Sequence, residues 1–177
     1  MKKFFAMLLV LTMMFSFAAC GGNAAEPTTT PTEAAKTVEG TMEELLNKVV
    51  EIRPVEFMGG TMPIDLTDEF ALTTYTGAAS AEGMIEGAFS ESMIGAQAYS
   101  LTLVKCESDE AAVALAQTMF DNIDTRKWVC VEATEKQAIA CGDLAFFVML
   151  NPEYGVTSDA IVEAFTGMFD SDYFILK

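Results

Sequence analysis

After residue 40 the apolar positions follow two different periods. Leu45, Leu46, Val49 and Ile52 recur at the three- and four-residue spacing of a helix face. Thr41-Met42-Glu43-Glu44 precedes them as a capping box, in which the threonine caps a backbone N–H and Glu44 reaches back. Pro54 stops the run, so a helix is predicted over 42–52. Residues 55–94 carry no clean period. Gly59-Gly60 and Pro63 interrupt them, Leu66 to Leu72 fits a short helix, and Gly77 to Gly83 reads as a loop. From Ala98 the period becomes two: Ala98-Tyr99-Ser100-Leu101-Thr102-Leu103-Val104 alternates as a half-buried strand does. Ser108-Asp109-Glu110 then opens a helix, with a serine cap and acids at the positive end of the dipole. Ala112, Leu115, Ala116, Met119, Phe120 and Ile123 form its apolar face.

Three more strands are predicted, at Trp128–Val131, Gln137–Cys141 and Leu144–Met149. Gly142-Asp143 fits a two-residue hairpin turn between the last two. The unbroken apolar run of Leu144–Met149 argues for a central place in the sheet. Asn151 to Gly155 is turn chemistry, and Ser158-Asp159 caps a last helix bearing Ile161, Val162, Phe165, Met168 and Phe169. Short links make the last three strands antiparallel neighbours. The expected fold class is α+β: a single domain over 41–177, with a mostly antiparallel four-stranded sheet and helices packed on one face.

Upstream, the pattern is that of export. Met1-Lys2-Lys3 is a short basic start, Phe4 to Phe15 carries no charge, and Ala18-Ala19 stand directly before Cys20. This is the layout of a secretory signal, and the apolar run is short for a permanent span. Phe17-Ala18-Ala19-Cys20 resembles a bacterial lipobox, departing from it at Phe17, where leucine is commoner. The resemblance implies a diacylglycerol on the Cys20 sulfur and cleavage before it. Residues 1–19 are then a lipoprotein signal peptide. The chain is expected at the extracytoplasmic face of the cell membrane, held by acyl chains rather than a span. Residues 20–40, with Gly21-Gly22-Asn23 and Pro27-Thr28-Thr29-Thr30-Pro31, lack apolar periodicity and read as a flexible spacer.

Charge narrows the partners. Removing 1–19 takes Lys2 and Lys3, so eight basic residues face 26 acids, a net charge of −18. Nucleic acid and anionic headgroups are repelled by such a chain. The expected partners are the membrane, through the lipid on Cys20, and an envelope protein or small ligand. There is no histidine. Ser-His-Asp and Cys-His catalysis, histidine-bound zinc and an imidazole switch are thereby excluded. Nucleotide-binding glycine loops and the G-x-S-x-G elbow are missing too. No catalytic residue, metal site or cofactor is assigned.

Two groups of side chains remain as candidates. Cys130 and Cys141 fall on strands expected to form a hairpin around Thr134-Glu135-Lys136. A turn centred on Glu135-Lys136 would set them opposite each other, and a one-residue slip would separate them. A disulfide, inert buried thiols and a redox pair all stay open, with Cys106 as a third thiol. Arg126-Lys127-Trp128 is the one place where basic charge meets the only tryptophan. If Val129 and Val131 face the core, Trp128 is partly exposed and available to stack on a sugar or a partner; otherwise it covers the rim of the sheet. The acids at Asp65-Asp68-Glu69, Glu107-Asp109-Glu110 and Asp170-Asp172 lack the spacing of a calcium loop and read as caps and solvated surface.

The stretch Ala98–Met149 resembles a family of uncharacterised lipoproteins from anaerobic Firmicutes, domain of unknown function 4358. The likeness is carried by Ala98-Tyr99-Ser100-Leu101, by Asn122-Ile123-Asp124-Thr125-Arg126-Lys127-Trp128 with Cys130-Val131-Glu132-Ala133, and by Gly142-Asp143. It implies an anchor followed by a small domain, and brings no activity with it. The expectation is a non-enzymatic, lipid-anchored domain that binds another molecule or protein at the cell envelope. The alternative is an extracytoplasmic thiol redox or enzyme-accessory protein using Cys130 and Cys141.

Overall fold

The computed structural model describes residues 39–177. The expected signal peptide, Cys20 and most of the expected spacer lie outside the described residues. Among the described residues the elements are α1 (Met42–Ile52), β1 (Met58–Pro63), α2 (Glu69–Thr76), β2 (Met84–Ser92), β3 (Tyr99–Cys106), α3 (Asp109–Asn122), β4 (Glu135–Cys141), β5 (Leu144–Leu150), a 3-10 turn at Pro152–Tyr154, α4 (Ser158–Thr166) and β6 (Phe174–Leu176). The strands form one antiparallel sheet in the order β1-β2-β3-β5-β4-β6.

The class is therefore α+β with an antiparallel sheet, but the sheet has six strands rather than four. Three expected strands exist, as β3, β4 and β5. The fourth, Trp128–Val131, is loop. β1, β2 and β6 come from stretches that showed no strand period. β1 contains Gly59 and Gly60, which supply no side chain to a period, and its register against β2 shifts between Met58 and Thr61. β2 alternates Ala88 and Ser90 with Phe89 and Glu91, so neither face stands out as apolar. β6 is only three residues long.

Helices cover both faces, which corrects the one-face expectation. On one face α1 and α4 place Leu45, Leu46, Val49, Ile161 and Phe165 on Leu101, Leu103, Phe146 and Val148. The rings of Phe146 and Phe165 stack there at 4.3 Å. On the other, α3 lays Ala112, Leu115, Ala116 and Met119 on Ala138, Ala140, Ala145, Phe147 and Met149. The alanines on both sides let helix and sheet approach closely at interior packing density. Every residue of β5 is buried, which only a sheet covered on both faces can do.

The caps hold these elements where their residues dictate. Thr41 and Glu44 exchange both bonds of the capping box. Asp68 accepts from the Phe70 N–H at 2.8 Å, and Ser108 accepts from the Ala111 N–H at 3.2 Å. α4 is capped by Thr157, one residue before the expected Ser158-Asp159. Met168 and Phe169 lie just past its end and still pack on the α1/α4 face. Gly142 at φ +56° makes the two-residue turn between Cys141 and Leu144.

The two ends of the sheet differ. The chain enters at one end, where the Met42 N–H donates to Glu86 near the start of β2. The links α1–β1, β2–β3, α3–β4 and β5–α4 gather at the opposite end, called here the far end. Phe57 packs edge-on against Tyr99 and Tyr154 there, and the Ala98 N–H donates to the Tyr154 hydroxyl.

Candidate functional site

The residues singled out by charge and aromaticity all fall in the α3–β4 loop, residues 123–134. Ile123 leaves α3 in an extended conformation. Asp124 then accepts the Arg126 N–H at 2.9 Å, a side-chain turn that aspartate favours. The Ala133 N–H donates to the Thr125 carbonyl, which closes the loop on itself. The Val129 N–H donates to the Gly95 carbonyl at 3.1 Å, tying it to the β2–β3 link. Residues 128–131 join no sheet ladder. Cys130 sits at φ +67°, a left-handed conformation uncommon for a residue with a Cβ.

Lys127 turns inward from this loop, and its side chain is only 13 % exposed. Its ammonium pairs with Glu91 of β2, whose side chain is 21 % exposed, and donates to Ser100 Oγ of β3 at 3.2 Å. It also lies 4.7 Å from the ring centre of Tyr75 on α2 and 5.4 Å from that of Trp128. Tyr75 stacks on Phe89, with centroids 3.7 Å apart. The cation is thus enclosed by an acid, a hydroxyl and two aromatic faces. Burial draws the Lys127 amine below its ordinary range, against the pull of Glu91. Burial and the Glu91 charge push the Tyr75 phenol up to about 12. This arrangement pins the loop to β2, β3 and α2.

Arg126, Lys127 and Trp128 consequently do not form one open basic-aromatic patch. Arg126 is exposed and paired with Glu132 at 2.5 Å. Lys127 is enclosed. Trp128 is half-buried against the α2/α3 face, and Val129, not Trp128, is the strongly exposed member. The valine-in, tryptophan-out alternation required a strand that is not present.

The cysteines also part company. β4 pairs with β5 and β6, so no hairpin turns around Glu135-Lys136. Cys130 is exposed in the loop and Cys141 is buried at the end of β4; both are free, as is buried Cys106. Of the alternatives left open for these thiols, a Cys130–Cys141 disulfide is not formed in this arrangement, and Cys130 is exposed rather than buried. Burial, helped by Asp143, pushes the Cys106 thiol up to about 11. Burial also raises Cys141, although the Ser171 hydroxyl at 3.0 Å opposes it. Both shifts favour the protonated thiol.

Of the acid clusters, Asp65 accepts from the Thr67 N–H and hydroxyl, while Asp68 and Ser108 cap helices. Among the described residues no group of three or more acids or cysteines is placed to hold a metal.

Tyr75, Phe89, Glu91 and Ser100 were not singled out from the sequence. The one signal for them was Phe89-Ser90-Glu91: strand alternation sets Phe89 and Glu91 on one face, and an acid beside a buried ring requires a cation.

The fold and loop cluster define a class in structural terms only: an antiparallel six-stranded sheet between two helical layers, with a lysine-pinned loop at one end. No family model matches the chain, and neither a curated protein nor a solved structure matches it.

Proposed function

We propose that the chain is a bacterial lipoprotein of the extracytoplasmic membrane face, anchored through Cys20. Its 41–177 domain binds another molecule or protein at the cell envelope and performs no catalysis. One observation carries the reading: Cys20 follows a small pair, which ends an uncharged run begun by two lysines. The likeness to the Firmicutes lipoproteins supports the same architecture. Among the described residues no helix is long and apolar enough to cross a membrane. Of the two thiols in the dithiol alternative, Cys130 lies exposed on a loop and Cys141 lies buried on a strand.

Metabolic labelling with an alkyne fatty acid tests the anchor. The wild-type chain should take up label, and Cys20→Ser should take up none. A wild-type chain that stays unlabelled, or a variant labelled equally, overturns the reading.

A further inference from the structure

The two edges of the sheet differ in what they leave open. β1 forms one edge. Its register shift between Met58 and Thr61, and Pro63 with no N–H to give, spoil it for further pairing. β6 forms the other edge. No glycine or proline interrupts 134–141 or 173–177, so nothing there removes a donor. β6 covers its neighbour only in part. All seven residues of β4 pair with β5, from Glu135↔Leu150 to Cys141↔Leu144, whereas β6 pairs with Ala138, Ile139 and Ala140 alone. Glu135, Lys136 and Gln137 therefore have a strand on one side and none on the other. Gln137, where the pairing stops, is only 3 % exposed. Its Nε2 donates to Ser158 Oγ at 2.8 Å and to Asp159 Oδ1 at 2.7 Å, while its Oε1 is buried and meets no donor. Buried acceptors are normally satisfied, so this one calls for a group that β6 does not supply.

β6 is also held lightly. None of its three residues is fully buried, although Ile175 packs on the α1/α4 face and Phe174 and Leu176 on the α3 face. Lys177 beyond it pairs with Asp159 at 2.6 Å, but both side chains are more than half exposed and water screens the pair. The link 167–173 that leads into it has neither helix nor strand. A segment with three pairs and partial burial opens ahead of a sheet whose β5 is buried throughout.

We infer that the outer edge of β4 is a strand-acceptor site, and that β6 is its resident, displaced by a longer extended segment of a partner protein. β6 itself gives the chemistry of that segment: three consecutive apolar residues, the middle one towards α1 and α4 and the outer two towards α3, then a cation for Asp159. A segment that continues past the cation also pairs along Gln137, Lys136 and Glu135. Strand alternation puts its second residue after the cation on the α4 side, where a hydroxyl can donate to Gln137 Oε1. This rests on the binding-domain reading above and gives it a site and a partner chemistry.

The test uses the full chain in non-ionic detergent, where titration proceeds whether or not Cys20 carries lipid. The probe is a fluorescein-labelled peptide with the sequence of residues 172–177 continued by Val-Thr-Val, followed by anisotropy. Saturable binding is expected. Ile175→Asp expels the resident strand and leaves β4 untouched, so it should bind the peptide about tenfold or more tightly, the site being open in every molecule. The peptide without its last three residues should bind about tenfold more weakly, having no pairs along 135–137. Hydrogen exchange of the unmutated chain keeps the test independent of the variant's folding. Amides of β6 should exchange about tenfold or more faster than those of β5, and saturating peptide should slow exchange in 135–137. No binding, equal binding of the two peptides, or affinity unchanged in Ile175→Asp overturns the inference. So do β6 amides as protected as those of β5, or self-association in sedimentation that Ile175→Asp abolishes, which would give the edge to a second copy. Fatty-acid labelling of Cys20 is read separately, so failure of the edge and failure of the anchor are distinguishable.

Discussion

Cys106 and Tyr75 show how burial, helped by a neighbouring carboxylate, tunes single groups in this protein. Each stays neutral in the folded chain at a pH where its unfolded counterpart has begun to ionise. The folded state then binds more protons than the unfolded one, so stability falls as pH rises. For Cys106 the window runs from 9.0 to about 11, and for Tyr75 from 10.0 to about 12. Lys127 has the opposite slope, because its amine is drawn below the ordinary 10.5 and the unfolded chain is the better proton binder there. Cys106→Ala should therefore reduce the loss of stability between pH 9.0 and about 11, with Cys141 and the tyrosines supplying what remains. Urea unfolding at stepped pH checks it; an unchanged slope would show that the Cys106 thiol titrates alike in both states.

At the scale of elements, the sequence was most legible where pattern and cap agreed. α1 and α3 begin where Thr41 and Ser108 place them, and the Gly142-Asp143 turn sets the β4–β5 register. Legibility failed where the period was carried by glycine and polar residues, as in β1 and β2. It also failed where a short β-rich run was captured by loop hydrogen bonds, as at Trp128–Val131. The candidate site suffered from that second failure. Lys127 was visible, but its partners come from α2, β2 and β3, far apart in the chain, and only packing brings them together. The α3–β4 loop behaves as one pinned element, so removing its pin should be felt. Lys127→Ala would strand Glu91 in a mostly enclosed position and is expected to cost about 2–3 kcal/mol, below the full cost of a fully buried pair. Lys127→Met with Glu91→Leu should recover more than half of that. Chemical denaturation of the three proteins checks this, and a double variant as unstable as the single would show that the ion pair is not the pin.

For the whole molecule, the dominant fact is charge. With seven basic groups against 24 acids over the described residues, a net −17, and most cations already paired, the folded state carries broad self-repulsion. Screening should relieve it more than it weakens five ion pairs, four of which involve at least one side chain more than a third exposed. The melting temperature is expected to rise as sodium chloride goes from about 50 to about 500 mM. A fall would mean that the ion pairs outweigh the repulsion.

By itself the sequence determined the helices with strong caps, the central β5 strand, the acidic character and the order of basic start, uncharged run and small pair that precedes Cys20. Each of these is written in neighbouring residues, where spacing, capping chemistry and charge act locally. The tertiary structure decided the rest: six strands in place of four, helices on both faces, the separation of Cys130 from Cys141, and the turning of Lys127 inward to Glu91. These depend on which distant backbone finds a free edge and which buried charge finds a counter-charge, and long-range pairing of that kind leaves little trace in local order.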